Sequence, residues 1–338
     1  MKERLIWLDT LKGWLILTVV LGHAIQYCLT ESYDTNYWWN LIYSFHMPAF
    51  MAASGFVNYR PKTCNSGYLT LIKRRSCQLL VPYLIWSCIK WMLMTNHNMS
   101  GLTNIILKPD GYFWFLWVLW VILIIFIVGD YISNLLKVKQ EIIIGSISLF
   151  LVIVMVFLNM RVIGFQFIAY YFIFYAFGYY CNKYRNLLTA NKVGICFLFF
   201  VWFAMASFWN MHELPFFLKG IPFIPSALLQ YAYRFATAFV AIYLVFSAAP
   251  MLLNAKNKAN EKVAHIGQIS LGIYVVHLML IIPMSHWLVS VMPSIPMYLV
   301  VIKSFLLAAI ISIGLVELLI KNRYTSKYLL GKISLVSR

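Results

Sequence analysis

Charge is what this sequence has least of. Its 27 Lys and Arg and 10 Asp and Glu make up only 11 % of 338 residues, while 62 % are apolar. A water-soluble chain of that length needs far more charge to clothe its surface. With a mean hydropathy of +0.79, water is excluded as the main solvent. Cysteine is sparse and scattered: Cys28, Cys64, Cys77, Cys88, Cys181 and Cys196 form no CxxC pair, so neither a disulfide framework nor a zinc site is expected, and no metal is assigned. Polar Arg-rich helices interleaved with aromatics are missing, which argues against nucleic acid as a partner. Linkers, low-complexity tracts and clear repeats are missing too. That predicts a single integral-membrane domain over 1–338 with no appended soluble domain.

What is present is a series of long apolar runs. A spanning helix needs roughly 20 mostly apolar residues, and that ruler gives about ten candidates: near 11–29, 38–57, 79–96, 112–130, 142–158, 165–181, 193–210, 226–250, 269–292 and 297–320. The runs are continuous rather than alternating, so helices are favoured over barrel strands. The expected fold is an all-α, polytopic membrane helix bundle in a lipid bilayer. Lys2 and Arg4 precede the first run, but Asp9 and Lys12 interrupt its start. No small-residue cleavage site follows Gly22-His23, so the run reads as a retained helix rather than a signal peptide.

The excess of 27 basic over 10 acidic residues is unevenly placed. One set of alternate connections holds Arg60, Lys62, Lys73, Arg74, Arg75, Lys137, Lys139, Lys183, Arg185, Lys192, Lys256, Lys258 and Lys262, with Lys321, Arg323, Lys327, Lys332 and Arg338 near the end. The other set holds only Lys108, Arg161 and Lys219. The positive-inside rule then places both termini in the cytoplasm.

Ionisable residues within spans are costly and mark candidate sites. His23 lies about twelve residues into the first apolar run, roughly 18 Å along it. His46 lies at a comparable depth in the second. Lys12 precedes His23 by about three helical turns on nearly the same azimuth, and Asp9 lies a further turn back. A membrane His commonly does no more than bridge helices, and Asp9 with Lys12 alone is explained by an interfacial ion pair. A hydrated polar track explains all three. Lys73, Arg74 and Arg75 before the third span serve as a positive-inside anchor or as a phosphate site, since the Arg fork suits phosphate oxygens. Arg234 is deep enough to need a carboxylate, ligand or water. Lys90 and Lys303 read as snorkelling cations, Glu317 as the partner of a Lys or Arg, and His277 as a packing residue. His97, His212, His265 and His286 carry little information. The tryptophans at 38–39 and 114–120 read mostly as interfacial belt and lining.

The stretch WLDTLKGWLILTVVLGH, Trp7 to His23, resembles the first helix of the integral-membrane acyltransferase family 3, particularly its fucose 4-O-acetylase-like branch. The shared pattern is D-x-x-K-G, an apolar run and G-H, here Asp9, Lys12, Gly13, Gly22 and His23. FHMPAFMAASGF (Phe45 to Phe56), Arg74-Arg75 with Pro82-Tyr83, WFLWVLW (Trp114 to Trp120) and IGQISLGIYVVH (Ile266 to His277) are similar to its later landmarks, in order. Many relatives have Arg where this chain has Lys12, which keeps the charge and loses the bidentate fork. No esterase-like extension of the kind that some relatives carry is expected.

The resemblance implies transfer of an acyl group, usually acetyl, from cytoplasmic acyl-CoA to a hydroxyl of a cell-envelope glycan or lipid-linked sugar, in the bacterial inner membrane. His23 suits the role of general base or of transient acyl carrier. Asp9 and Lys12 would orient that track or bind donor, Arg74 and Arg75 would hold the phosphates of acetyl-CoA, and His46 would serve the acceptor side or the developing oxyanion. Two other readings stand beside this one. Intramembrane His, Asp and Arg also occur in proton-coupled carriers, so a secondary transporter or flippase for an anionic or glycolipid substrate is the main alternative. It lacks support from paired halves with broken helices. A scaffold for glycan-assembly enzymes is the third.

Overall fold

The computed structural model describes residues 5–29, 33–59, 67–94, 99–109, 111–158, 160, 162–185, 191–253 and 257–332. Lys2, Arg4, Arg60, Lys62, Cys64, His97, Arg161, Lys256 and Arg338 lie outside them. All regular structure among the described residues is helical. Eight helices are long and apolar enough to cross a membrane, and the protein is an integral membrane protein. They are α1 (Ile6–Leu29), a helix over Tyr68–Leu93, α7 (Trp114–Leu136), α8 (Gln140–Leu158), α9 (Phe165–Lys183), α11 (Ser226–Leu252), α13 (Ser270–Val291) and α14 (Met297–Lys321).

Two of the ten expected stretches are built differently. The seventh is a shorter apolar helix, α10 (Lys192–Ser207). The second is broken into α2 (Tyr37–Tyr43) and α3 (His46–Asn58). Pro48 accounts for the break: a continuous helix would need its absent N–H to bond the carbonyl of Ser44, whereas in the first turn of a new helix no such bond is required. Phe45, at φ −137° and ψ −32°, takes up the kink.

A second proline shapes the helix over Tyr68–Leu93. Its first part, α4 (Tyr68–Arg75), passes through a π-helical turn over Ser76–Leu80 into α5 (Val81–Met94). Pro82 cannot donate to the carbonyl of Gln78, and the wider turn re-registers the chain, with the Val81 N–H reaching back to Ser76. Trp120 on α7 fixes this turn by donating its indole N–H to Ser76 Oγ at 3.0 Å. The tryptophans of α7 thus do more than line a membrane interface, since Trp117 also bonds the Ile163 carbonyl at 3.0 Å.

Helix α1 is the centre of the molecule. Its most apolar stretch is 67 % buried, against 17 % for peripheral α8. It packs on α3, α11, α13 and α14, and on α12 (Lys258–Gln268), a shorter helix preceding α13. The α1–α12 crossing is close enough that a Cβ added to Gly267 would stand 1.8 Å from the Asp9 carbonyl oxygen. Helix α1 also starts five residues earlier than the apolar run suggests, which puts His23 about 26 Å from its first residue at 1.5 Å per residue. After α14, a short α15 (Arg323–Tyr328) turns the chain back against the π turn. Trp86 donates to the Leu329 carbonyl at 2.9 Å. Gly331 then lies on the Gln78 backbone at φ +63°, where any Cβ would come within 2.0 Å of the Gln78 oxygen. Only glycine meets both demands.

Candidate active site

Asp9 and Lys12 come together on α1, while His23 farther along the same helix is not among the residues lining the cavity that Lys12 borders. Asp9 Oδ1 lies 2.9 Å from Lys12 Nζ, and this ion pair is mostly buried. Lys12 does not simply snorkel away: it lines a cavity of about 280 Å³. Arg75, Gln78 and Lys332 share that end of the cavity. Farther along α1 and α3, Ser54, Phe50, Met47 and Val19 continue the wall, with Phe115 and Tyr274 across from them. The cavity therefore has a cationic, polar end and an apolar interior.

Beyond the interior end lie three histidines from three helices. Val19 stands one turn before His23, Met47 is next to His46, and Tyr274 stands one turn before His277. The rings of His23 and His277 are 5.4 Å apart between centroids, and His46 lies within electrostatic range of His23. The proline break sets the orientation of His46. It leaves the Ile42 carbonyl at the end of α2, and His46 Nδ1 donates to it at 2.7 Å. His277 Nδ1 likewise donates to the Ile273 carbonyl at 2.8 Å. Because a carbonyl can only accept, these bonds put the proton of each neutral ring on Nδ1 and leave Nε2 as a base. His277 Nε2 and His23 Nδ1 are both buried without a hydrogen-bond partner among the described residues. Tyr27 stacks on His23 at 5.9 Å, Tyr43 packs edge-on against His46 at 4.6 Å, and the Tyr43 hydroxyl donates to Gln26 at 3.2 Å. The arrangement offers unprotonated imidazole nitrogens, shielded from bulk water, next to the apolar part of a cavity.

Of the two arginines before the third span, only Arg75 lines the cavity. Its guanidinium donates to Gln78 Oε1 at 2.7 Å and to Asn58 Oδ1. These two amide oxygens help to orient the guanidinium fork. Arg74 has a buried, unpartnered Nε and is not part of the cavity wall.

Residues 5–316 match the sequence profile of acyltransferase family 3, described as an acyltransferase domain. The chain belongs to that family. Two curated relatives of this acyltransferase are nodulation proteins NolL. The one from Mesorhizobium japonicum is 32 % identical over 117 residues, covering 32 % of this chain and 31 % of the relative. The one from Sinorhizobium fredii is 34 % identical over 125 residues, 34 % of each chain. The matched stretch thus spans about a third of either relative's length. No solved structure matches.

The family assignment leaves several charged residues of the acyltransferase to be placed. Among the described residues Arg234 meets aromatic faces rather than a carboxylate: its guanidinium carbon lies 4.9 Å from the Tyr170 ring centroid and 5.6 Å from that of Trp209. Cation–π attraction of this kind stabilises a half-buried guanidinium. Glu317 pairs with His265 at 3.2 Å, and with no Lys or Arg among the described residues. Lys303 lies 3.9 Å from Met292 sulfur. Lys90 Nζ stands 3.4 Å above the ring centre of Tyr112. Two residues near the cavity escaped the reading from sequence. His277 passed for packing, although it sits in the landmark IGQISLGIYVVH, and Lys332 passed for one of several terminal cations.

Proposed function

We propose that this acyltransferase moves an acetyl group from cytoplasmic acetyl-CoA to a hydroxyl of a cell-envelope glycan or lipid-linked sugar, in the bacterial inner membrane. The observation that carries the reading is one cavity with Lys12, Arg75 and Lys332 in its wall and the histidine cluster one turn or less from its apolar lining residues Val19, Met47 and Tyr274. The cationic end suits the phosphates of the donor. The apolar interior suits the thioester arm, which it would direct toward His23. A sugar hydroxyl is a weak nucleophile, so a positioned base is needed. In the proposed step, an imidazole nitrogen of His23 takes the hydroxyl proton while the oxygen attacks the thioester carbonyl. The tetrahedral intermediate then collapses, the C–S bond breaks, and the CoA thiolate recovers the proton from His23. His46 and His277, held by backbone carbonyls, would orient His23 and exclude competing water. Asp9 would hold Lys12 in the cavity wall.

Purified protein in lipid, given labelled acetyl-CoA and extracted envelope glycans, should release free CoA only when acceptor is present. Movement of a glycolipid across vesicles without CoA release would instead support the carrier reading. Kinetics should also separate the arginines. Arg75→Ala is expected to raise the KM for acetyl-CoA roughly tenfold, as for loss of a charge-assisted contact to phosphate, with little change in acceptor KM. Arg74→Ala should have the smaller effect of the two. Equal effects, or an unchanged donor KM in Arg75→Ala, would remove the phosphate role.

The proposed direction of transfer requires the cationic end to face the cytoplasm, with both termini on that side. Reporter fusions at each end should give cytoplasmic signals. A C-terminal reporter active outside the cytoplasm would place Arg75 and Lys332 away from the donor.

A further inference from the structure

A second cavity, of about 140 Å³, opens at the opposite end of the helices from Lys12, between α5, α6 (Met99–Leu107) and the start of α7. Lys90 and Lys108 both line it, together with Ser87, Asn104 and Trp91. Neither lysine forms an ion pair with a carboxylate among the described residues, and no carboxylate is among the described residues lining the cavity. The connections on this side of the chain hold few cations, so two lysines converging on one void are not explained by membrane anchoring.

This cavity reaches the histidine cluster through two aromatic rings. Lys90 covers one face of Tyr112 at 3.4 Å, Tyr112 lies close enough to Tyr27 for their side chains to interact, and Tyr27 stacks on His23 at 5.9 Å. The Tyr112 backbone is tied to the wall of the first cavity, since its carbonyl accepts from the Tyr274 hydroxyl at 3.0 Å. Tyr274 in the wall of the first cavity and Tyr112 in the wall of the second are thus joined by a hydrogen bond, and Tyr27 interacts with both Tyr112 and His23.

We infer that the second cavity is the acceptor's entry site and that Lys90 and Lys108 bind an anionic group on the acceptor, a phosphate or carboxylate carried beside the hydroxyl to be acylated. The inference rests on the acyl-transfer reading above and adds to it a substrate class: negatively charged sugars over neutral ones. Its volume takes one phosphate or carboxylate with part of a sugar ring. Ser87, Asn104 and the Trp91 ring supply hydrogen bonds and a stacking face, the usual company of a bound sugar. Tyr112 and Tyr27 would move aside to let the hydroxyl reach His23.

The test uses the full-length protein in nanodiscs with three probes: glucose 1-phosphate, glucuronate and methyl glucoside. Binding is measured by calorimetry without donor, and acylation is measured with labelled acetyl-CoA. At least one anionic probe should bind and be acylated with a KM roughly tenfold or more below that of methyl glucoside. The phosphate and carboxylate arms identify which anion is recognised. Lys90→Gln with Lys108→Gln should erase that preference while leaving acetyl-CoA KM unchanged, and Lys90→Arg with Lys108→Arg should retain it. Adding phosphatidylglycerol to phosphatidylcholine nanodiscs reports whether a lipid headgroup takes the site instead. Competition that abolishes sugar binding would overturn the acceptor assignment. Equal handling of neutral and anionic probes would overturn it as well, while acyl transfer itself still stood. Anion binding sensitive to both lysines but without acylation of any probe would leave the site and remove the reaction.

Discussion

Replacing His23 with glutamine is expected to lower acceptor-dependent release of CoA by roughly 10²- to 10⁴-fold, the usual contribution of a positioned general base. Glutamine preserves much of the volume and a hydrogen-bonding end, so the core around α1 should remain packed. The protein should elute and melt like the parent. The effect should fall mainly on kcat, because the cationic end of the donor cavity is several turns away. His46→Gln and His277→Gln should cost less, since each of those rings already commits Nδ1 to a backbone carbonyl and is assigned here to positioning. Rates of CoA release at saturating donor check the ranking. Acid quenching during turnover, followed by mass measurement of the protein, separates direct transfer from an acyl-histidine route: only the latter leaves the acyl mass on the chain. A folded His23→Gln protein with parental turnover would end the assignment.

The second large effect is structural and is expected from Gly267→Val. A Cβ at that position would sit 1.8 Å from the Asp9 carbonyl oxygen and 2.8 Å from the Gly13 nitrogen. Those are backbone atoms of the most buried helix and cannot swing away as the tip of a side chain can. Overpacking of a core usually costs about 1–3 kcal/mol, and this substitution belongs at or above the top of that range. Helix α12 would have to leave α1, disturbing the Asp9–Lys12 pair and the cavity wall together, so activity and stability should fall in parallel. Thermal melting in detergent, followed by size-exclusion fluorescence, should show a clear downward shift, with Gly267→Ala falling between. A valine variant that melts with the parent would mean that the two helices do not approach this closely.

The parts of the fold and of the candidate site that were legible in sequence are those set by one helix at a time. Asp9, Lys12 and His23 could be placed on one track because 3.6-residue periodicity alone relates them. The apolar runs marked the long helices for the same reason. What could not be read depends on neighbours. The run 38–57 is evenly apolar, so hydropathy hid the break that Pro48 imposes and that gives His46 its carbonyl partner. Arg74 and Arg75 are identical in charge and adjacent in sequence; which of them lines the cavity is decided by the π turn and by Asn58 on another helix. His277 belongs to a helix far along the chain, and only the packing of α1 on α13 brings its ring to His23. The true start of α1 is hidden from hydropathy because Trp7 and Leu8 stand ahead of the charged Asp9, which resembles a boundary with water but is covered by α12.

The seating of Gly331 on Gln78 gives the tail of the chain a stake in what happens several helices away. Leu330, Gly331 and Lys332 are part of the wall around the first cavity, although they cross no bilayer themselves. By thermodynamic reciprocity, a molecule that occupies that space and touches the tail tightens the tail's grip, and loosening the tail weakens the occupant by the same factor. Cutting the polypeptide after Lys321 would leave every long helix intact and yet breach the chamber, so an enzyme shortened there would be whole by topology and leaky by design.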